Sequence, residues 1–263
     1  MIHFPKTAYP KNWLYPVADE TNSPLKNMRF YLFHLPANQT SSFVFEQGET
    51  AFVLLSGQAR AWIGGTLLGE TGYRENVFKE RASCFYFPPH VPFTVEAIHD
   101  TEWAIFEAFT SKTGQPRFIS KEEVQAKEVG KENFTRIVYT IIGPEFPAQT
   151  LMVGETLNRP GCWSSFPPHR HQKNRPPEEY ALEEVYHYRF HPQHGFGVQC
   201  LYLESKEIED AYLIKDGDTF VIPGGYHPVV AAPGYALYYC WALAGENRVL
   251  KPFEDPPHRW VGE

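Results

Sequence analysis

An all-β fold built as two β-barrel domains in one chain is predicted by three features of this sequence. They are an aromatic content of 16% alongside 23 prolines and 19 glycines, a run of short strand-like segments with little helical periodicity, and an internal repeat. Aromatic and β-branched residues suit pleated, half-buried surfaces while Gly and Pro mark turns, so this mixture favours many short strands over long helices. In the first half, residues 51–55, 58–63, 84–87, 93–98 and 102–108 read as strands. In the second half, residues 185–190, 198–204, 211–214, 219–222 and 237–243 have the same character and are bounded by Gly, Pro or Asp. One short helix is expected over residues 120–129, where Ser120 and Glu123 fit a capping box and Gly130 supplies a stop.

The repeat can be counted. Glu49 lies 39 residues before Pro88 of Phe85-Tyr-Phe-Pro88, and Glu184 lies 39 residues before Pro223 of Phe220-Val-Ile-Pro223, so one offset of 135 aligns the two segments. Self-similarity of this kind points to duplication. The chain of 263 residues has room for two domains of ~130 residues each. The expected division is 1–120 for an N-terminal barrel and 134–263 for a C-terminal barrel, with the boundary in the polar stretch 112–133.

Composition excludes several classes of function. Lys+Arg total 24 against Asp+Glu 31, a net charge of −7 without long like-signed runs, which argues against a nucleic-acid arm or a polybasic membrane patch. The most apolar stretch, 235–244, is about half of the ~20 residues that span a bilayer. Cys84, Cys162, Cys200 and Cys240 form no Cys-x-x-Cys pair, and the N-terminus lacks a signal-peptide pattern, so a reduced, cytosolic protein is expected.

The chemistry concentrates in three segments: Pro167-Pro-His169-Arg-His171, Glu183-Glu184-Val-Tyr-His-Tyr, and Asp216-Gly-Asp-Thr-Phe-Val-Ile-Pro223-Gly-Gly-Tyr-His227. On a strand, alternate side chains share a face, so His169 and His171 can reach one ion. Glu184 offers a hard oxygen on the face of Tyr186 and Tyr188, and the Pro-Gly-Gly turn can return His227 over the same pocket. Three histidines and a carboxylate make a site for one divalent transition metal, zinc foremost, with Mn2+ or Fe2+ suited to higher coordination. Each residue alone is uninformative, because a His-x-His pair, a strand glutamate and a histidine after a turn are all common. The fixed order, together with the Gly217-x5-Pro223 spacing, carries the reading.

This arrangement resembles the cupin superfamily, whose motifs are Gly-x5-His-x-His-x3,4-Glu-x6-Gly and Gly-x5-Pro-x-Gly-x2-His-x3-Asn. An insertion over 172–182, with Pro176-Pro177-Glu178-Glu179, separates His171 from Glu184, and no Asn follows His227. A nearer resemblance rests on Trp163-Ser-Ser-Phe-Pro-Pro-His-Arg-His, Leu182-Glu-Glu-Val-Tyr, Pro223-Gly-Gly-Tyr-His-Pro, Ala232-Pro-Gly-Tyr and Leu243-Ala-Gly. These segments look like the 5-deoxy-glucuronate isomerases of bacterial inositol catabolism, which are similar to the 4-deoxy-5-hexulose-uronate isomerases of pectin breakdown. The resemblance implies a bicupin, two jelly-roll barrels with the metal in the C-terminal one, held by His169, His171, Glu184 and His227. Glu184 rather than Glu178, Glu179 or Glu183 takes the ligand position because it precedes the Val-Tyr-x-Tyr strand. The N-terminal site is expected to be degenerate: no His-x-His precedes Glu49, Pro92 falls opposite His227, and His90 stands alone.

The implied activity is conversion of 5-deoxy-D-glucuronate, a small-molecule partner, to 2-deoxy-5-keto-D-gluconate by proton transfer through an enediol. Such a reaction calls for a base, for which Glu178, Glu179 and Tyr186 are candidates. The substrate carboxylate calls for a cation, with Lys173 and Arg175 in the insertion, and Gln199 is placed to hydrogen-bond a sugar hydroxyl. Competing readings are an isomerase of a related deoxy-hexulose uronate, a cupin dioxygenase, and a non-catalytic sugar-binding bicupin. Exposed strand edges and the Trp-bearing segments at Trp13, Trp241 and Trp260 offer surfaces for a homo-oligomer.

Overall fold

The computed structural model describes residues 1–263, which form two compact units. One comprises Ala8–Gln125 and Thr140–Val153; the other comprises Met1–Thr7, Ala126–Tyr139 and Gly154–Glu263. These units depart from the expected division at 1–120 and 134–263. The N-terminal residues pack with the C-terminal unit, where His3 pairs with Phe220 and Phe4 with Thr219. A two-residue edge strand of this kind carries no period that composition could reveal.

The first unit is an antiparallel sheet in the order Tyr15–Ala18, Met28–Leu35, Phe93–Phe109, Gly48–Ile63, Cys84–Phe87, Arg117–Ile119. The predicted pairs 51–55 with 58–63, and 93–98 with 102–108, are each one long strand bent by register shifts around Ser56 and Gln58. Gly57 sits at the bend with φ +96°, and a Cβ there would lie 2.1 Å from the Asp100 carbonyl oxygen, so only glycine fits. Phe33, Phe45, Phe52, Phe85, Phe87, Phe93 and Trp103 fill the interior. Each buried Phe contributes about 1.5–3 kcal/mol through apolar burial, which is what the aromatic content of this half supports.

The second unit centres on Glu183–His191, which lies between Thr219–Ile222 and Ala236–Ala244 in the larger sheet. A smaller sheet runs Trp163–Ser164, Val229–Ala231, Phe196–Tyr202, Glu209–Lys215. The repeat is visible in the ladders: Glu49 pairs with Ala108 and Glu184 with Leu243, and both pairs are related by the offset of 135. On the other side the registers differ by one residue, since Thr50 faces Phe87 whereas Glu184 faces Ile222.

The expected helix at 120–129 does not form. The capping-box contact is present, with the Ser120 amide donating to Glu123 Oε1 at 3.1 Å, but it closes a single turn. The chain then continues as the edge strand Gln125–Val129 beside Arg136–Ile142. Sheet pairing outweighs the modest helix propensity of this stretch, and its charged, exposed side chains suit an edge. Gly130, at φ +86°, turns the chain after the strand instead of ending a helix. No helix is long and apolar enough to cross a membrane.

Candidate metal centre and its cavity

Local structure dictates which side chains converge. Along Glu183–His191 the period of two sends Glu184, Tyr186 and Tyr188 to the inner face, with Tyr186 and Tyr239 ring centroids 4.4 Å apart. The two-residue strand His169–Arg170 pairs with Phe253–Glu254. Alternation directs its histidines one way and Arg170 the other, over the rings of Phe253 at 4.8 Å and Tyr226 at 5.1 Å. His227 is returned by Gly224 and Gly225, both at positive φ, and the turn is pinned by the Tyr226 amide donating to the Tyr202 carbonyl at 2.9 Å. Gln199 Nε2 donates to the His227 carbonyl at 2.9 Å, fixing the backbone of that loop.

His171, Glu184 and His227 form a buried group whose ligating atoms lie within 4.8 Å of one another. His171 Nε2 is 2.9 Å from Glu184 Oε2, and His227 Nε2 is 3.3 Å from the same oxygen. The rings are held from behind: His171 Nδ1 donates to the Leu182 carbonyl at 2.8 Å and His227 Nδ1 to the Gly225 carbonyl at 2.9 Å. A carbonyl can only accept, so each Nδ1 carries the hydrogen, and the Nε2 of each ring points at the Glu184 carboxylate; once its Nε2 proton is lost, such a ring is the tautomer a metal requires. His227 Nε2 is buried without a hydrogen-bond partner, an arrangement that costs free energy unless something else meets that lone pair. His169 stands beside the group, its ring centroid 5.0 Å from that of His227 and its Nδ1 3.3 Å from the Pro167 carbonyl. These residues fit a divalent transition ion.

Burial would raise the Glu184 carboxyl, but the imidazoles of His171 and His227 outweigh it and hold the group down at about 2. Burial would lower His171, and the contact with Glu184 reverses this and raises it; a proton held there is one that a metal would displace. His169 is pushed well below the ordinary histidine range by burial and by the neighbouring His227 and His171. Burial, with Glu184 and Tyr239 nearby, raises the Tyr186 phenol well above its ordinary value, so its hydroxyl keeps its hydrogen.

These groups open onto a cavity of about 150 Å³. Hydroxyls of Thr156, Ser164, Ser165, Tyr186 and Tyr239 line part of it, and Trp241, Leu243, Leu250 and Pro252 form an apolar wall. Tyr186 and Ser165 share a hydrogen bond at 2.9 Å, and Trp241 Nε1 donates to Thr156 Oγ1 at 3.1 Å. Trp241 is therefore a cavity wall and not the surface residue expected for self-association, whereas Trp13 and Trp260 are exposed.

Of the remaining predicted residues, only Tyr186 reaches the cavity. Glu179 is fully buried, and its carboxylate accepts from Arg170 Nε at 3.1 Å, Arg175 Nη2 at 2.8 Å and the amides of Gln172 and Lys173, both at 2.9 Å. With its lone pairs occupied, it organises the insertion and is not positioned as a base. Lys173 reaches Glu204 and Arg175 reaches Glu179, and neither lines the cavity. Gln199 is buried, accepts from Tyr188 and positions the His227 loop, so it is not offered to a sugar hydroxyl. Sequence reasoning gave no role to Arg136, Tyr239, Ser164 or Ser165: the first two lie on distant strands outside any motif, and the two serines stand within the Trp163-Ser-Ser-Phe segment with nothing in its spacing to mark them as cavity residues.

In the first unit, Glu49 occupies the place that Glu184 holds in the repeat. It accepts from Tyr86 Oη at 2.6 Å and from the amides of Gln149, Thr150 and Leu151. His90 is exposed, with φ 65°.

Two antiparallel barrels in one chain, with a His/Glu group inside the second, define a bicupin. The same fold is seen in the oxalate decarboxylase of Lactobacillus farciminis, at TM-score 0.70 and 12% identity over 97% of this chain and 88% of that one. The chain belongs to the KduI/IolB family, whose model matches residues 3–261. An IolB-like protein from Salmonella typhimurium LT2 superimposes with TM-score 0.94 at 27% identity, covering 100% of both chains. A relative from Geobacillus kaustophilus, named 5-deoxy-glucuronate isomerase, is 37% identical over 235 residues, 89% of this chain and 85% of its own.

Proposed function

We propose that this protein is a metal-dependent aldose–ketose isomerase that converts 5-deoxy-D-glucuronate to 2-deoxy-5-keto-D-gluconate in inositol catabolism. The observation that carries the reading is the buried group of two imidazole Nε2 atoms and one carboxylate beside a hydroxyl-lined cavity, in a chain 37% identical to a relative named for that reaction. His171, Glu184 and His227 would hold the ion, with His169 as fourth ligand and zinc as the metal. When bound, such an ion supplies Lewis acidity that makes the hydrogen beside a carbonyl easier to remove.

The chain's own residues do the rest. Tyr186 keeps its phenolic hydrogen at neutral pH and offers it to a substrate oxygen, with Ser165 Oγ fixing the hydroxyl's direction. The role is that of a hydrogen donor, not of the base expected from sequence. Trp241, Leu243, Leu250 and Pro252 keep water from the reacting carbons, which favours return of the proton to the neighbouring carbon. Glu49, tied to backbone amides, leaves the N-terminal barrel a structural, degenerate copy. Four cysteines that form no disulfide suit a cytoplasmic setting.

The test is to incubate the purified protein with 5-deoxy-D-glucuronate and follow the product ketone by carbon NMR, before and after chelation and reloading with Zn2+, Mn2+ or Fe2+. Ketone formation that stops on chelation and returns on reloading is expected. An unchanged aldose signal with metal-loaded protein overturns the proposal.

A further inference from the structure

Arg136 is the cavity residue that neither the sequence motifs nor the metal group explains. It is 8% exposed and lies at the start of Arg136–Ile142, on the cavity wall. Its Nη1 donates to the carbonyls of Phe134 at 3.0 Å and Phe166 at 3.1 Å, which fixes the plane of the guanidinium. No carboxylate pairs with it. Glu184 is the one acid on the cavity lining, and that carboxylate already faces His171 and His227. A buried guanidinium without a counter-charge is costly, because burial removes its hydration and two neutral carbonyls on one nitrogen replace only part of it. Two other arginines are as buried: Arg170, 2% exposed, has the carboxylates of Glu179 and Glu204, and Arg74, 2% exposed, donates to the carbonyls of Leu54 and Glu80 away from this cavity.

Arg136 lines the cavity together with the hydroxyl-bearing Ser164, Thr156 and Tyr239, and its Nε and Nη2 are not used in the carbonyl contacts. Planar, forked donors match a carboxylate in bidentate geometry, and a low-dielectric wall strengthens the pairing. We infer that Arg136 is the specificity-determining residue that binds the substrate's carboxylate, and so orients the sugar acid with its aldehyde end toward the His/Glu group. This inference rests on the isomerase reading above and assigns the cation that Lys173 and Arg175 do not supply. It also explains why one face of the cavity is polar but lacks any protein anion: the anion arrives with the ligand.

The experiment compares two substrates on two proteins. The substrates are 5-deoxy-D-glucuronate and 5-deoxy-D-glucose, which keeps the aldehyde and replaces the carboxylate with a hydroxymethyl group. The proteins are the wild type and Arg136→Met. For the wild type, kcat/KM should favour the uronate by about 100-fold, the value of a charge-assisted pair of hydrogen bonds. Arg136→Met should raise KM for the uronate by about the same factor while changing KM for 5-deoxy-D-glucose less than about threefold. Equal losses on both substrates, or an unchanged uronate KM, overturn the assignment. Calorimetric titration with the uronate separates this from the isomerase reading. If the wild type turns over neither substrate yet binds the uronate, and Arg136→Met does not, Arg136 stands and the isomerase reading falls; equal binding, or none to either protein, overturns Arg136. Should Arg136→Met lose its near-ultraviolet dichroism, Arg136→Lys replaces it, and retention of the wild-type uronate preference by a side chain lacking the planar fork refutes the bidentate assignment.

Discussion

Replacing Glu179 by Gln separates a positioning role from a catalytic one. The Glu179 carboxylate accepts from buried Arg170, half-exposed Arg175 and the amides of Gln172 and Lys173. The loop it closes returns Leu182 to His171, where the Leu182 amide donates to the His171 carbonyl at 2.9 Å and the Leu182 carbonyl accepts from Nδ1 at 2.8 Å. Removing one partner of a buried ion pair costs about 3–5 kcal/mol. The low end applies, about 3 kcal/mol, because Arg170 retains exposed Glu204 at 2.9 Å and the Arg175 pair reaches solvent. For a chain of this size that corresponds to a fall in Tm of about 6–12 °C, read by calorimetry. Loosening the support behind His171 should weaken metal affinity by about 10–100-fold, while kcat at saturating metal changes little. An unchanged Tm and metal affinity with kcat reduced by a factor of 10² or more, the signature of a lost general base, would refute this reasoning.

Three other outcomes are expected. Tyr186→Phe should lower kcat by about 10²-fold with little change in KM, because it removes a proton donor and keeps the ring; a KM effect alone would argue for substrate binding instead. His227→Ala should empty the site, so elemental analysis is expected to find about one divalent ion per wild-type chain and a small fraction of that in the variant. His187 is pushed well below its ordinary value by burial and by the charges of Arg189 and Lys6, so it stays neutral in the fold while the unfolded chain protonates it below about 6.5. Its contribution to stability is therefore present above that pH and is lost as pH falls, by about 1.4 kcal/mol per unit. Denaturant unfolding at pH 5 and pH 6 should show that slope reduced by about one proton in His187→Asn, and identical slopes would exclude His187 as its source.

The convergence of His171, Glu184 and His227 was legible in the sequence because these residues obey local rules. His171 follows two residues after His169 at the end of a short strand, Glu184 begins an alternating aromatic run, and Gly225 permits the turn before His227. The duplication was legible for the same reason, since strand pairing preserves sequence spacing, and the ladders Glu49–Ala108 and Glu184–Leu243 keep the offset of 135. The short helix at 120–129 was misread because the capping box determines only its own turn, whereas the state of the next five residues depends on a strand partner farther along the chain. Glu179 and Gln199 were misread for a related reason: proximity to the motif says nothing about whether lone pairs are already occupied.

The sequence alone determined the all-β class, the repeated barrel and the residue types able to hold an ion, because each follows from periodicity or spacing within a few residues. Only the tertiary structure decided which carboxylate is engaged elsewhere, which tautomer each histidine presents, and that Arg136, Ser164, Ser165 and Tyr239 share one cavity. Those are matters of burial and of hydrogen-bond partners contributed by distant strands, and no local pattern in the chain encodes them.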